Sequence, residues 1–161
     1  MQPQSFLDFY RTSKDGCLRA LAVTVQSYGE AEELLAESFT RALEDWEKVQ
    51  LHPAPEAWIV RTALNLHRDR WRKLLHANKY RASQPGYTFD TPDFVDPELM
   101  RAIRSLPEKQ RLVIAYRVLL DLSIAQTATE MGIATGTVAA HLNRALSALR
   151  TRINQQNWIE E

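Results

Sequence analysis

The side chains best suited to nucleophilic or metal chemistry are four histidines, His52, His67, His76 and His141, and one cysteine, Cys17. Their spacing assembles neither chemistry. His67 and His76 stand nine residues apart, on opposite sides of any helix that carries both, so they do not share one ion. No phosphate-cradling glycine loop and no nucleophile elbow occurs. Asp90, Asp93 and Asp96 are close in sequence, but a proline-bearing segment does not preorganise ligands for a metal. No catalysis, no metal site and no cofactor are therefore expected. A single cysteine excludes an intrachain disulfide and fits a reducing compartment.

What the chain offers instead is charge, sorted by position. Lys plus Arg equals Asp plus Glu over 161 residues, yet the signs are segregated. Between Glu30 and Glu56 the acids Glu30, Glu32, Glu33, Glu37, Glu44, Asp45, Glu47 and Glu56 outnumber Arg41 and Lys48. Between Arg61 and Arg81 the bases Arg61, Arg68, Arg70, Arg72, Lys73, Lys79 and Arg81 face a single acid, Asp69. Adjacent acidic and basic segments imply two different partners.

The elements that must carry these groups read as helices. Valine and isoleucine are scattered, and no period-two stretch persists. A helix or helix pair is expected over 5–27, interrupted near Asp15-Gly16, with Leu18, Leu21, Ala22 and Val25 inward. Ala31, Leu34, Leu35, Phe39, Ala42, Leu43 and Trp46 repeat at helical spacing within a helix over 30–49, its acids on the other side. Pro55 suits the first turn of a helix over 55–75. Residues 77–95 hold Pro85, Gly86 and Pro92 and read as a flexible linker, although Tyr80, Tyr87, Phe89 and Phe94 are many aromatics for a plain spacer. Helices resume at Asp96-Pro97-Glu98, at Pro107-Glu108 and at Ser123, where Gln126 completes a capping box. Gly132 closes that third helix. The last begins after Thr135 and buries Val138, Leu142, Leu146, Leu149 and Ile153. The fold class is all-α: two small helical domains, 1–76 and 96–161, joined by 77–95. No apolar run reaches the length of a membrane span and no signal pattern opens the chain, so a cytoplasmic protein is expected.

Residues 123–149 have helix-turn-helix spacing. Ala125 and Ala128 allow close helix packing, and the second helix would offer Thr137, Ala140, His141, Asn143 and Arg144 to a major groove. An ordinary helical hairpin fits the same pattern. The motifs go further. Leu106-Pro107-Glu108-Lys109-Gln110-Arg111, Asp121-Leu122-Ser123, Met131-Gly132, Gly136-Thr137-Val138 and Arg144-Ala145-Leu146 resemble region 4 of extracytoplasmic-function (ECF) sigma factors. Residues 31–42, Ala-Glu-Glu-Leu-Leu-Ala-Glu-Ser-Phe-Thr-Arg-Ala, resemble region 2.2 of that family. Pro55-Glu56-Ala57-Trp58-Ile59-Val60-Arg61, with Asn65 and Asp69-Arg70, resembles regions 2.3 and 2.4.

The resemblance implies a promoter-specific initiation factor for bacterial RNA polymerase, with a region 2 bundle and a region 4 helix-turn-helix. It implies that Glu33, Leu34, Glu37 and Arg41 dock on the clamp helices of the largest polymerase subunit, while Phe39 and Trp46 are read as core. It implies contact with the flap of the second-largest subunit, and nucleoid association when polymerase-bound. A flipped base of the minus-ten element would sit among Arg41, Val49, Gln50, Leu51, His52, Trp58 and Asn65, with core the preferred role for Trp58. Arg61, Arg68, Arg72 and Lys73 would hold phosphates. Thr137, Ala139, Ala140, His141, Asn143 and Arg144 would meet the minus-thirty-five element. Relatives often carry Lys or Arg at the position of Ala139 and Arg at that of His141, so weak upstream reading is expected; they usually carry Gln at that of Ala36, so one polar contact of the docking helix is missing. An anti-sigma protein is a further partner of the family, and no membrane contact is implied. The alternative is a self-sufficient helix-turn-helix regulator acting without polymerase.

Overall fold

The computed structural model describes residues 5–25, 27–77 and 96–157. These residues hold eight α-helices and no strand. The chain divides into two compact units, Met1–Asp90 and Thr91–Glu161.

The first unit contains α1 (Phe6–Val25), α2 (Tyr28–Glu44), α3 (Trp46–Val49) and α4 (Pro55–Ala77). Ser5 opens α1, its Oγ accepting from the Asp8 amide at 3.1 Å. No break occurs at Asp15-Gly16. A helical glycine costs about 1 kcal/mol relative to alanine, and the packing of buried Cys17, Ala20 and Leu21 offsets it. Of the expected inward residues, Leu21, Ala22 and Val25 are buried and Leu18 is half-buried.

Ser27 caps α2 by accepting from the Glu30 amide at 3.3 Å. Ala31, Leu34, Leu35, Phe39 and Ala42 are buried as the stripe predicts, but Leu43 is exposed. The helix expected to run to Val49 breaks at Asp45, whose φ of −113° and ψ of 26° leave the helical region. The break turns Trp46 toward α1, where its ring lies 5.1 Å from Phe9 and 5.5 Å from Phe6. Aromatic packing of this kind outweighs the loss of one helical residue. Leu21, Val23, Leu34, Ile59 and Val60 are fully enclosed between α1, α2 and α4. Burying each such side chain contributes roughly 1.5–3 kcal/mol.

The second unit contains α5 (Pro97–Arg104), α6 (Glu108–Ile114), α7 (Ile124–Met131) and α8 (Thr135–Asn157). Asp96 caps α5 through its Oδ1, 3.0 Å from the Glu98 amide, with Pro97 in the first turn. Arg111 reaches back from α6 and donates to the Arg104 carbonyl at 3.3 Å, closing the end of α5. α6 widens into a π turn over Ala115–Leu119. Asp121 follows with a φ of 55°, and Arg117 donates to the Leu122 carbonyl.

Ser123 and Gln126 form the capping box of α7 reciprocally, each bond 3.0 Å. Gly132 ends α7 in the left-handed region at φ 66°. Val113, Ala128 and Val138 form the core of the motif, with Met131, Ile133 and Leu142 packed against it. Ala128 packs as expected, but Ala125 is exposed. Buried Thr127 takes the inward position, its hydroxyl donating to the Ser123 carbonyl at 2.9 Å. Along α8, Val138, Ala145 and Leu149 are buried, Leu142 and Leu146 are half-buried, and Ile153 is exposed.

Candidate functional site

Three surfaces carry the residues that could recognise something. The first lies where α2 meets α4. Glu30, Glu33 and Glu37 recur at helical spacing on α2, and His67 and Arg70 recur on α4. His67 Nδ1 lies 2.7 Å from Glu30 Oε1. Arg70 Nη1 lies 3.5 Å from Glu33 Oε2, and its Nη2 lies 3.0 Å from Glu37 Oε2. Arg41 Nη2 lies 3.1 Å from the other Glu37 oxygen, Oε1. Glu33, Glu37 and Arg41, expected together at a docking surface, do share one patch. Leu34 does not. It is completely enclosed, so it offers no surface to a partner and belongs to the core.

The second surface is the outer side of α4. Arg61, Asn65, Arg68 and Arg72 follow one another at four, three and four residues, which aligns them on one face. All four are exposed, as is Lys73 beside them, while Ile59, Val60, Ala63 and Leu66 face the core. Trp58 belongs to the same row one turn earlier and is half-buried. At the foot of α4, Leu51 is 80% exposed and Gln50 and His52 are half-buried. His52 Nδ1 accepts from the Ala54 amide at 2.9 Å, so this ring helps start α4. Val49, expected in the base pocket, is buried; its side chain packs inward from α3 and is unavailable to a base.

The third surface is the outer face of α8. Thr137, Asn143 and Arg144 are exposed, and Ala139, Ala140 and His141 are half-buried. His141 sits closer to the buried row than the others, and its Nδ1 is enclosed without a hydrogen-bond partner. The helix therefore offers one cation, Arg144, within its first three turns.

Sequence reasoning missed the role of Arg70. The signal was present: residues 63, 66, 67 and 70 share the inward phase of α4, and a cation there demands an acid opposite. Among the described residues, no cluster of His, Cys, Asp or Glu is arranged to hold a metal, and no helix is long and apolar enough to cross a membrane. The linker residues Tyr80, Tyr87, Phe89, Asp90, Asp93 and Phe94 lie outside the described residues.

Residues 15–75 match the family described as "Sigma-70 region 2". Residues 97–149 match "Sigma-70, region 4". The chain thus joins the two helical parts that define RNA polymerase sigma factors. The ECF RNA polymerase sigma factor SigF of Caulobacter vibrioides is 33% identical over 77% of this chain and 68% of that protein. SigL of Mycobacterium tuberculosis is 31% identical over 78% of this chain and 76% of its own. The RNA polymerase sigma-E factor of Streptomyces coelicolor is 28% identical over 92% of this chain and 85% of that protein. The solved structure of the sigma factor RpoE with the anti-sigma factor NepR, from Bartonella quintana, aligns with a TM-score of 0.67 at 20% identity. It covers 91% of this chain and 97% of that one, and it establishes the shared fold.

This protein belongs to the ECF sigma factor family, whose members bind core RNA polymerase and direct promoter-specific initiation of transcription. Sigma factors are in general initiation factors and not enzymes. The self-sufficient regulator is not favoured, because region 2 has no place in it.

Proposed function

We propose that the three surfaces divide promoter recognition among them. Glu33, Glu37 and Arg41 dock on the clamp helices of the largest polymerase subunit, and the second unit meets the flap of the second-largest. The outer row of α4 grips the opened minus-ten strand. Arg61, Arg68, Arg72 and Lys73 hold phosphates, which supplies affinity and salt dependence without sequence choice. Asn65, which can donate and accept, reads the edge of a flipped base cradled by Gln50, Leu51 and His52, with Trp58 at its side. Thr137, Ala140, Asn143 and Arg144, flanked by Ala139 and His141, face the minus-thirty-five element.

The observation that carries this reading is the alignment of Arg61, Asn65, Arg68 and Arg72 on the face of α4 opposite its buried residues. A base-reading amide set among phosphate-binding cations is the arrangement a single strand requires. The upstream reading is weak, since only Arg144 can supply a charged contact on the exposed start of α8. The protein works without catalysis of its own, in the cytoplasm, at the nucleoid when polymerase-bound. Residues 1–76 and 96–161 act as separate recognition domains on either side of 77–95, and an anti-sigma protein that covers their surfaces would hold the factor inactive.

The test is reconstitution with core polymerase and a run-off transcript from a selected promoter pool. Asn65→Ala is expected to retain polymerase binding and lose base preference within the minus-ten element. Failure of the wild-type chain to join core polymerase would overturn the reading.

A further inference from the structure

Both carboxylate oxygens of Glu37 are occupied, one by Arg41 from its own helix and one by Arg70 from α4. The second nitrogen of Arg70 lies 3.5 Å from Glu33. The four side chains make one row of alternating sign: Glu33, Arg70, Glu37, Arg41. Its ends are open to solvent, with the Glu33 side chain 74% exposed and that of Arg41 52% exposed. Two acids and two bases cancel, so this patch is not a plain acidic lure for cations. It has a direction instead, negative at Glu33 and positive at Arg41.

Arg70 is the member from the other helix. Its planar fork is what allows one side chain to engage carboxylates on two successive turns of α2. It projects from the α2-facing side of α4, away from the row of Arg61, Asn65, Arg68 and Arg72, so its charge is committed to the acids and not to nucleic acid.

We propose that Arg70 is a positioning residue for polymerase docking, holding Glu33 and Glu37 so that α2 presents a fixed negative-to-positive order. The matching partner surface carries a cation opposite Glu33 and an anion opposite Arg41, which sets the register of the complex as well as its affinity. The inference rests on α2 as the docking surface. Without Arg70 the two carboxylates repel and spread, and the patch acquires a net negative charge. Docking then loses order and leans on unspecific attraction, which salt screens.

The experiment measures the Kd of the full-length chain for core polymerase at several salt concentrations, with the folded fraction of each variant fixed by circular dichroism. Arg70→Ala is expected to weaken binding about fivefold and to steepen its salt dependence, because the uncompensated carboxylates then attract the partner through net charge that salt screens. Arg70→Lys, a point charge without the fork, is expected to weaken it about twofold. In a Glu33→Gln/Glu37→Gln background, Arg70→Ala is expected to add no further weakening. Wild-type affinity and salt slope in Arg70→Ala, with Glu33→Gln/Glu37→Gln still weakened, overturn the role of Arg70 and leave the docking surface standing. Unchanged binding in Glu33→Gln/Glu37→Gln overturns the docking surface, and the role of Arg70 with it.

Discussion

The thiol of Cys17 in α1 lies 3.8 Å from the backbone carbonyl of Glu56 in the first turn of α4. Cys17 is fully enclosed. Burial, reinforced by the Glu56 charge, raises its pKa above the ordinary 9.0. The folded chain therefore keeps a proton that the unfolded chain releases. Stability is complete below pH 9 and falls as pH rises beyond it, by up to about 1.4 kcal/mol per pH unit. Thermal melts between pH 7 and 11 should show this slope, and Cys17→Ala should reduce it, most clearly between pH 9 and 10. At neutral pH the native thiol should resist disulfide reagents, since it is neither ionised nor accessible.

Leu34 tests the boundary between core and surface. Its side chain is enclosed, so Leu34→Ala should cost about 2–5 kcal/mol of stability in urea unfolding. Polymerase affinity per folded molecule should be unchanged. A variant with native stability and impaired docking would return Leu34 to the interface.

The outer row of α4 predicts a salt effect of defined size. Removing Arg68 and Arg72 together should lower the slope of log Kd against log salt for single-stranded minus-ten DNA in the polymerase complex. The expected change is about 0.7 for each phosphate no longer held. Base preference should stay as it was if, as proposed, these side chains hold the backbone. A shift in preferred bases, with the slope unmoved, would contradict the assignment.

Ala139 tests the upstream surface. It is half-buried at the flank of α8, where a lysine stem can lie along the helix and carry its charge outward. Ala139→Lys should tighten the upstream element on polymerase-bound promoter DNA, within the roughly 1–3 kcal/mol that a good groove interaction supplies. Unchanged affinity would mean that the absence of cations here does not limit upstream reading.

Much of this architecture was legible in residue spacing. The stripe of Ala31, Leu34, Leu35, Phe39 and Ala42 marked the inward face of α2, and Ser123, Gln126 and Gly132 marked both ends of α7. These signals are local: a helix period or a cap involves residues within a few positions of each other. What escaped was set by packing between residues distant in sequence. Asp15-Gly16 looked like a break because propensity counts glycine without seeing the packing of Cys17 and Leu21. The kink at Asp45 follows from the pull of Trp46 toward Phe6 and Phe9 on another helix. Arg70 read as one more member of a basic cluster until the fold placed Glu33 and Glu37 beside it. Leu34 carried the motif of a docking helix, but a motif does not say which of its members face inward.

Both turns that lead into α7 and α8 pass through one residue with left-handed backbone, Asp121 before α7 and Gly132 after it. No atom lies close enough to Gly132 to crowd an added methyl group; an L-residue there is opposed by handedness alone, at about 1 kcal/mol. On the proposed reading, the direction of α8 is thus set by local chirality at residues that would not themselves touch DNA. A β-branched substitution at either point could silence promoter choice with every contacting side chain intact, a misdirected reading head that a survey of interface residues would overlook.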